Sequence, residues 1–286
     1  MLALWRSARL IVHLLTGLLL AAAVKLDRRN RLRRERLMSG WCRGTLRILG
    51  IRVSIVGRPH DGARLTVANH VSWLDIMLIG ACEPTRFVAK SEIRNWPVAG
   101  WLATATGAFY IRRGKGGARA LLGTLTPWLA AGGAVTVFPE GTTTDGTGVR
   151  DFHPRLFAAA IAAAVPVQPV AIRYGLGAGG RKVAPFIGDD DLFSHVLRIL
   201  REPALAAEVA YCAALDGAGR SREQLTLAAR QCIADIIAPE PLCATSSADP
   251  IKHRDRAMAL PRRGPTSCRL SPAPRRRPPA DPCRRA

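Results

Sequence analysis

The chain has 286 residues, 48% of them apolar, which suits one α/β domain with appendages and excludes global disorder. Lys and Arg outnumber Asp and Glu by 42 to 21, and the net charge of +21 calls for an anionic partner. No zinc-finger, RNA-recognition or helix-turn-helix signature accompanies that charge, so nucleic acid is set aside and membrane lipids are the expected partner. Seven scattered cysteines without a C-x-x-C pair are read as reduced thiols, with neither a disulfide framework nor a metal site expected.

Residues 1–50 are expected to form an N-terminal helical segment that anchors the chain to a membrane. Leu10 to Val24 is a largely apolar run preceded by Arg6 and Arg9. A cleavable signal peptide shares that pattern, down to the small residues Ala21, Ala22 and Ala23. Against it stands the basic block Lys25, Arg28, Arg29, Arg31, Arg33, Arg34 and Arg36, which resists translocation and holds its side in the cytoplasm. The run is also short for a comfortable bilayer span of ~20 residues. An uncleaved anchor at the cytoplasmic face of the inner membrane fits better.

Residues 51–238 alternate between strand and helix patterns. Arg64–Ala68, Arg86–Ala89, Ala108–Arg112, Ala134–Phe138 and Val167–Ile172 are short apolar runs suited to buried strands. Trp73–Cys82, Ala118–Ala131, Pro154–Ala164, Leu192–Arg201 and Glu223–Ile237 carry helical spacing. The alternation predicts an α/β fold, a mostly parallel sheet flanked by helices. Residues 239–286 turn to Pro, Arg, Ser and Ala, a composition expected of a disordered tail.

Three constellations lie where strands are expected to end. The first is Asn69-His70-Val71-Ser72-Trp73-Leu74-Asp75. Were both helical, His70 and Asp75 would stand roughly 140° apart. They meet if His70 lies in the turn and Asp75 points back from the first helical turn, with Ser72 as N-cap and Asp75 at N3. In that geometry Asp75 orients the imidazole and His70 takes a proton from a hydroxyl. A plain capping-box helix start would give the same spacing. The second is Gly107–Arg113, a strand closing on Arg112 and Arg113, where Arg113 offers a planar fork to a phosphate or carboxylate. The third is Phe138-Pro139-Glu140-Gly141-Thr142-Thr143-Thr144, in which Pro closes the strand, Gly141 admits close backbone approach, and Thr142 adds an amide and a hydroxyl for polar oxygens.

In this order and spacing, together with Val165-Pro166-Val167-Gln168-Pro169-Val170, the motifs resemble those of the glycerolipid acyltransferase family, whose best-known members are 1-acylglycerol-3-phosphate acyltransferases. The resemblance covers Thr66 to Ile172. It implies an α/β sheet with a hydrophobic acyl groove preceded by membrane-binding helices. It implies His70 as general base with Asp75 as its partner, and Arg113, Glu140 and Gly141 around the acceptor headgroup. It also implies Lys90 near the site as an oxyanion stabiliser. The expected reaction is transfer of a fatty acyl group from acyl-CoA or acyl carrier protein, as co-substrate and without a cofactor, to 1-acyl-sn-glycerol-3-phosphate, giving phosphatidic acid. Many phosphatidate-forming members read F-P-E-G-T-R-S, whereas Thr143 stands here at the Arg position. That missing cation makes lyso-ornithine lipid the alternative acceptor. A non-enzymatic protein that binds anionic lipid is a third reading, from another class.

Overall fold

The computed structural model describes residues 1–27, 32–112 and 116–238. Seven strands form one sheet in the order β1-β7-β6-β2-β5-β3-β4, where β1 is Ile51–Val56, β2 Arg64–Ala68, β3 Arg86–Lys90, β4 Phe109–Ile111, β5 Ala134–Val137, β6 Val167–Tyr174 and β7 Leu205–Tyr211. Strands β2 to β6 run in one direction. β7 pairs antiparallel with β6, and β1 runs parallel to β7, so the sheet is mixed. β2 is the middle strand and every one of its residues is buried, as expected for a strand covered on both faces.

Sequence reading missed the two reversed strands. Leu205–Tyr211 is rich in Ala and carries Glu208, so its composition favours helix. Its strand state comes from pairing between β1 and β6. The segment expected as one helix from Pro154 divides into a 3-10 turn, Pro154–Phe157, and α6, Ala158–Ala162.

Helices cover both faces. α2 (Arg34–Leu49), α3 (Leu74–Cys82) and α7 (Leu192–Arg201) bury Cys42, Leu46, Leu78, Ile79 and Ile199 against one face. α5 (Gly117–Ala130), α6 and α8 (Arg222–Ile237) bury Leu121, Leu125, Ala160, Leu225 and Ile233 against the other. α8 starts with a complete capping box, Ser221 and Gln224 exchanging hydrogen bonds with each other's backbone amides.

The apolar run near the N-terminus extends into a longer helix, α1 (Leu2–Leu26), long and apolar enough by length and composition to cross a membrane. It is fastened to the rest of the fold. The Trp41 indole donates to the His13 carbonyl at 3.1 Å, and His13 Nε2 donates to the Trp41 carbonyl at 3.0 Å. Their rings stack at 5.1 Å, and Gly17 lies so close under Trp41 that a Cβ there would fall 2.6 Å from its Nε1. Arg6 donates to the backbone carbonyls of Glu202 and Pro203. The other side of α1 presents Leu4, Ile11, Leu15 and Leu19, all more than half exposed. The expected tail, 239–286, lies outside the described residues, as do Arg28, Arg29 and Arg31 of the basic block.

Candidate active site

Because β2 to β6 share a direction, their carboxyl ends line one edge of the sheet, where open α/β sheets place ligands. His70 follows β2 on that edge, Lys90 ends β3, Arg112 follows β4, the Pro139–Thr144 loop follows β5, and Tyr174 ends β6. Just past β2, the Asn69 carboxamide takes over the ladder, donating to the Ile172 carbonyl at 3.0 Å and accepting the Ile172 amide at 2.7 Å. The turn carrying His70 therefore starts from a fixed point.

His70 Nδ1 and Asp75 Oδ2 are 2.8 Å apart. The same oxygen accepts the amides of Val71 (2.7 Å) and Ser72 (2.9 Å), while Oδ1 accepts the Tyr174 hydroxyl at 2.6 Å. Asp75 is fully buried, and all four of these contacts come from donors. Facing a carboxylate, Nδ1 carries the ring proton, so the Nε2 lone pair is the one available for a substrate proton. No described residue bonds to Nε2. The ring keeps 19% exposure and stacks on Phe138 at 4.1 Å between centroids.

The helix start differs from the expected one. α3 is capped by Trp73 without a side-chain bond, and Asp75 is its second residue, not its third. Ser72 is not the N-cap; its hydroxyl is buried and has no hydrogen-bond partner. The Asp75 carboxylate closes the turn by reaching back to two amides, which leaves the serine hydroxyl no capping role.

The loop after β5 grips the backbone of His70. Glu140 Oε1 accepts the His70 amide at 2.8 Å and Oε2 the Arg150 amide at 3.1 Å. Burial pushes the Glu140 carboxyl pKa up, while those two amide bonds favour its charged form. Thr144 donates to the His70 carbonyl through its amide (2.8 Å) and hydroxyl (3.1 Å). Gly141 sits between at φ +71°, where any side chain is strained and a Cβ would lie 3.2 Å from His153 Nε2. Thr142 is exposed at the rim. Thr143 donates its hydroxyl to the Phe186 carbonyl, and the Phe186 amide bonds to the Val71 carbonyl at 2.9 Å.

His70, Asp75, Glu140 and Gly141 thus gather at one point, and Lys90, half-buried at the end of β3, lies farther along the edge. Arg113 lies outside the described residues. Sequence reading missed Tyr174, Asn69 and the Phe138 stack. Tyr174 could have been found as a polar residue ending a strand parallel to β2. Burial, then the Asp75 charge, raises its phenol pKa well above the usual value, so it remains a donor.

An acyltransferase family model matches residues 51–173. Over 235 residues the chain is 43% identical to the lyso-ornithine lipid O-acyltransferase of Pseudomonas aeruginosa, covering 80% of this chain and 90% of that protein. The chain belongs to the glycerolipid acyltransferase family. This acyltransferase is also 35% identical to the 1-acyl-sn-glycerol-3-phosphate acyltransferase of Neisseria gonorrhoeae, over 65% of its own length and 74% of the relative's. Its fold matches the crystal structure of the 1-acyl-sn-glycerophosphate acyltransferase of Thermotoga maritima with a TM-score of 0.64 at 22% identity, covering 82% of this chain and 93% of that one.

Proposed function

We propose that this acyltransferase moves a fatty acyl group from a thioester carrier, acyl-CoA or acyl carrier protein, to the free hydroxyl of a lyso-ornithine lipid. The observation that carries the chemistry is the partly exposed His70 ring held through Nδ1 by the buried Asp75 on the carboxyl edge, which leaves Nε2 for the substrate. Nε2 accepts the acceptor hydroxyl proton as the oxygen attacks the thioester carbonyl carbon. A C–O bond forms and the C–S bond breaks. The imidazolium, steadied by Asp75, returns its proton to the departing thiolate. Lys90, at the end of β3, is assigned to stabilise the transient oxyanion, and Gly141 and Thr142 to meet the acceptor; Arg113 keeps the headgroup role that its motif implies. Glu140, with both oxygens on backbone amides, acts by positioning His70. The reaction needs no metal and no cofactor.

The choice of acceptor reverses the order given by the motifs alone, which put lysophosphatidate first. Lyso-ornithine lipid O-acyltransferases of four organisms, at 37 to 43% identity, support the amino-acid lipid. Thr143 supports it too, since an uncharged hydroxyl already bonded to Phe186 stands where phosphatidate-forming members carry Arg. Lysophosphatidate is the second reading, favoured by the Neisseria relative. The exposed apolar side of α1 and the charge of +21 support residence at an anionic membrane surface, with the basic block on the cytoplasmic side.

An acceptor panel tests the proposal. Purified protein in detergent with a labelled acyl thioester should acylate lyso-ornithine lipid with a higher kcat/KM than lysophosphatidate. Preference for lysophosphatidate would replace the acceptor, and transfer to neither would remove the proposal.

A further inference from the structure

The catalytic pair does not use every polar group on the carboxyl edge. Where β3 and β4 end, a surface cavity of about 570 Å³ is lined by Ser91, Glu92, Arg94, Asn95, Tyr110 and Arg112. One wall is the 3-10 turn Ser91–Asn95 that follows Lys90, and the other is β4 with the residue after it. Close packing holds the walls. A Cβ at Gly100 would fall 2.3 Å from the Arg94 carbonyl, so the turn and the helix Ala99–Ala105 are pressed together. The Tyr110 hydroxyl shares a 2.7 Å hydrogen bond with Thr104, and the Arg94 guanidinium lies 5.7 Å from the Tyr110 ring.

The charges around this cavity are mixed in a telling way. Two guanidiniums suit a carboxylate or a phosphate, but Glu92 on the same wall repels a dianion and suits an ammonium. A group carrying both a carboxylate and an amine matches the sign of all three, and Glu92 also accepts the Ser91 hydroxyl at 3.3 Å. Position adds a second argument. β5 and β3 intervene between β2 and β4, so strand spacing puts the cavity about 10 to 14 Å along the edge from the strand that presents His70. A phosphate only a few bonds from the reacting hydroxyl stays close to His70. An extended amino-acid headgroup reaches farther.

We propose that this cavity is the headgroup site for a zwitterionic amino-acid lipid, with Arg94 and Arg112 taking its carboxylate and Glu92 its amine. The proposal rests on the acceptor named above and gives that choice a structural cause. The cavity is then what separates an amino-acid lipid from a phosphate-headed lysolipid.

The test measures both acceptors on the full-length enzyme and on Glu92→Gln, Glu92→Asp and Arg112→Gln, with the melting temperature of each recorded. Glu92→Gln should raise the KM for lyso-ornithine lipid about tenfold or more, spare the KM of the thioester, and move the ratio of kcat/KM values toward lysophosphatidate. Glu92→Asp should restore part of the loss. Free ornithine should compete with the acceptor on the wild type and lose that effect in Glu92→Gln. Wild-type transfer to lyso-ornithine lipid with unmoved KM values in all three variants overturns the cavity assignment alone. Equal losses on both acceptors and on the thioester also overturn it, since they report general damage. A wild type that ignores lyso-ornithine lipid overturns the proposed acceptor, and the cavity assignment with it.

Discussion

Tyr174 and Asp75, 99 positions apart in the chain, meet through a 2.6 Å hydrogen bond from phenol to carboxylate. The bond fixes the oxygen that His70 does not use, so the carboxylate cannot rotate away from the imidazole. Tyr174→Phe keeps the ring and removes only this donor. A hydrogen bond to a charged group is worth about 1.5–3 kcal/mol, an upper bound for the cost in rate of roughly 10- to 100-fold. We expect a kcat loss within that bound at little change in KM, measured by steady-state kinetics with each substrate saturating in turn.

His70→Ala should lower turnover by about 10² to 10⁴, the usual share of a general base. The fold should hold, because the Asp75 oxygen that loses the imidazole keeps the amides of Val71 and Ser72. A soluble His70→Ala protein with a normal melt and near wild-type turnover would remove the catalytic assignment.

Asp75→Asn is a gentler change than its burial suggests. The amide oxygen can take the place of Oδ2, and the amide nitrogen can donate to the Tyr174 hydroxyl, which is able to accept. What is lost is the negative charge beside the forming imidazolium. The rate should fall less than in His70→Ala. Combining Asp75→Asn with Tyr174→Phe should cost extra stability, since the new amide nitrogen would then be buried without an acceptor. A double-mutant cycle on the melting temperatures measures this coupling.

Another histidine makes stability depend on pH. Buried His195 accepts the Trp73 indole N–H at Nδ1 (3.1 Å) and faces the Ala184 and Pro185 carbonyls through Nε2 (3.1 Å each). Burial lowers its pKa, with Arg198 pushing the same way and Asp190 and the two carbonyls opposing. On acidification the unfolded chain binds this proton first. The contribution of His195 to stability is therefore complete above the ordinary histidine range, near 6.5, and is lost as pH falls through it toward the lower native pKa. Between pH 7 and 5 the wild-type melting temperature should drop more steeply than that of His195→Gln. Parallel profiles would show that other groups cause the drop.

Membrane attachment should depend on one side of α1 only. Leu4, Ile11, Leu15 and Leu19 face outward, and each contributes up to about 1.5–3 kcal/mol when immersed in an apolar medium. Changing all four to Ser should move the protein from the pelleted to the soluble fraction without lowering its melting temperature. Gly17→Val should do the reverse, colliding with Trp41 and loosening α1 while leaving the apolar side intact. Pelleting of the four-fold variant as complete as that of the wild type would count against α1 as the anchor.

Much of this arrangement is legible in the sequence because its parts are local. His70 and Asp75 lie on one turn, and the strands of the parallel region are short apolar runs, all but β2 closed by Pro, Gly or a charge. The pairing partners are not local. Nothing in the spacing of Leu205–Tyr211 states that it lies beside β1 and β6, and its alanines argue the other way. Tyr174 escaped notice for a similar reason. It becomes part of the site only once β6 is placed beside β2, and that neighbourhood is set by the sheet order. Ser72 shows the opposite error, a sound local rule overridden when a buried carboxylate closed the turn first.

The long sequence separation between Asp75 and Tyr174 also orders events during synthesis. α1 and the His70 turn leave the ribosome well before β6, while Glu140, Arg150 and Tyr174 are still to come. A growing chain therefore carries the exposed apolar side of α1 while Asp75 still lacks the Tyr174 hydroxyl. With α1 as the proposed anchor, attachment to lipid precedes completion of the site, and a chain stalled short of residue 174 carries the anchor without the hydroxyl that holds Asp75.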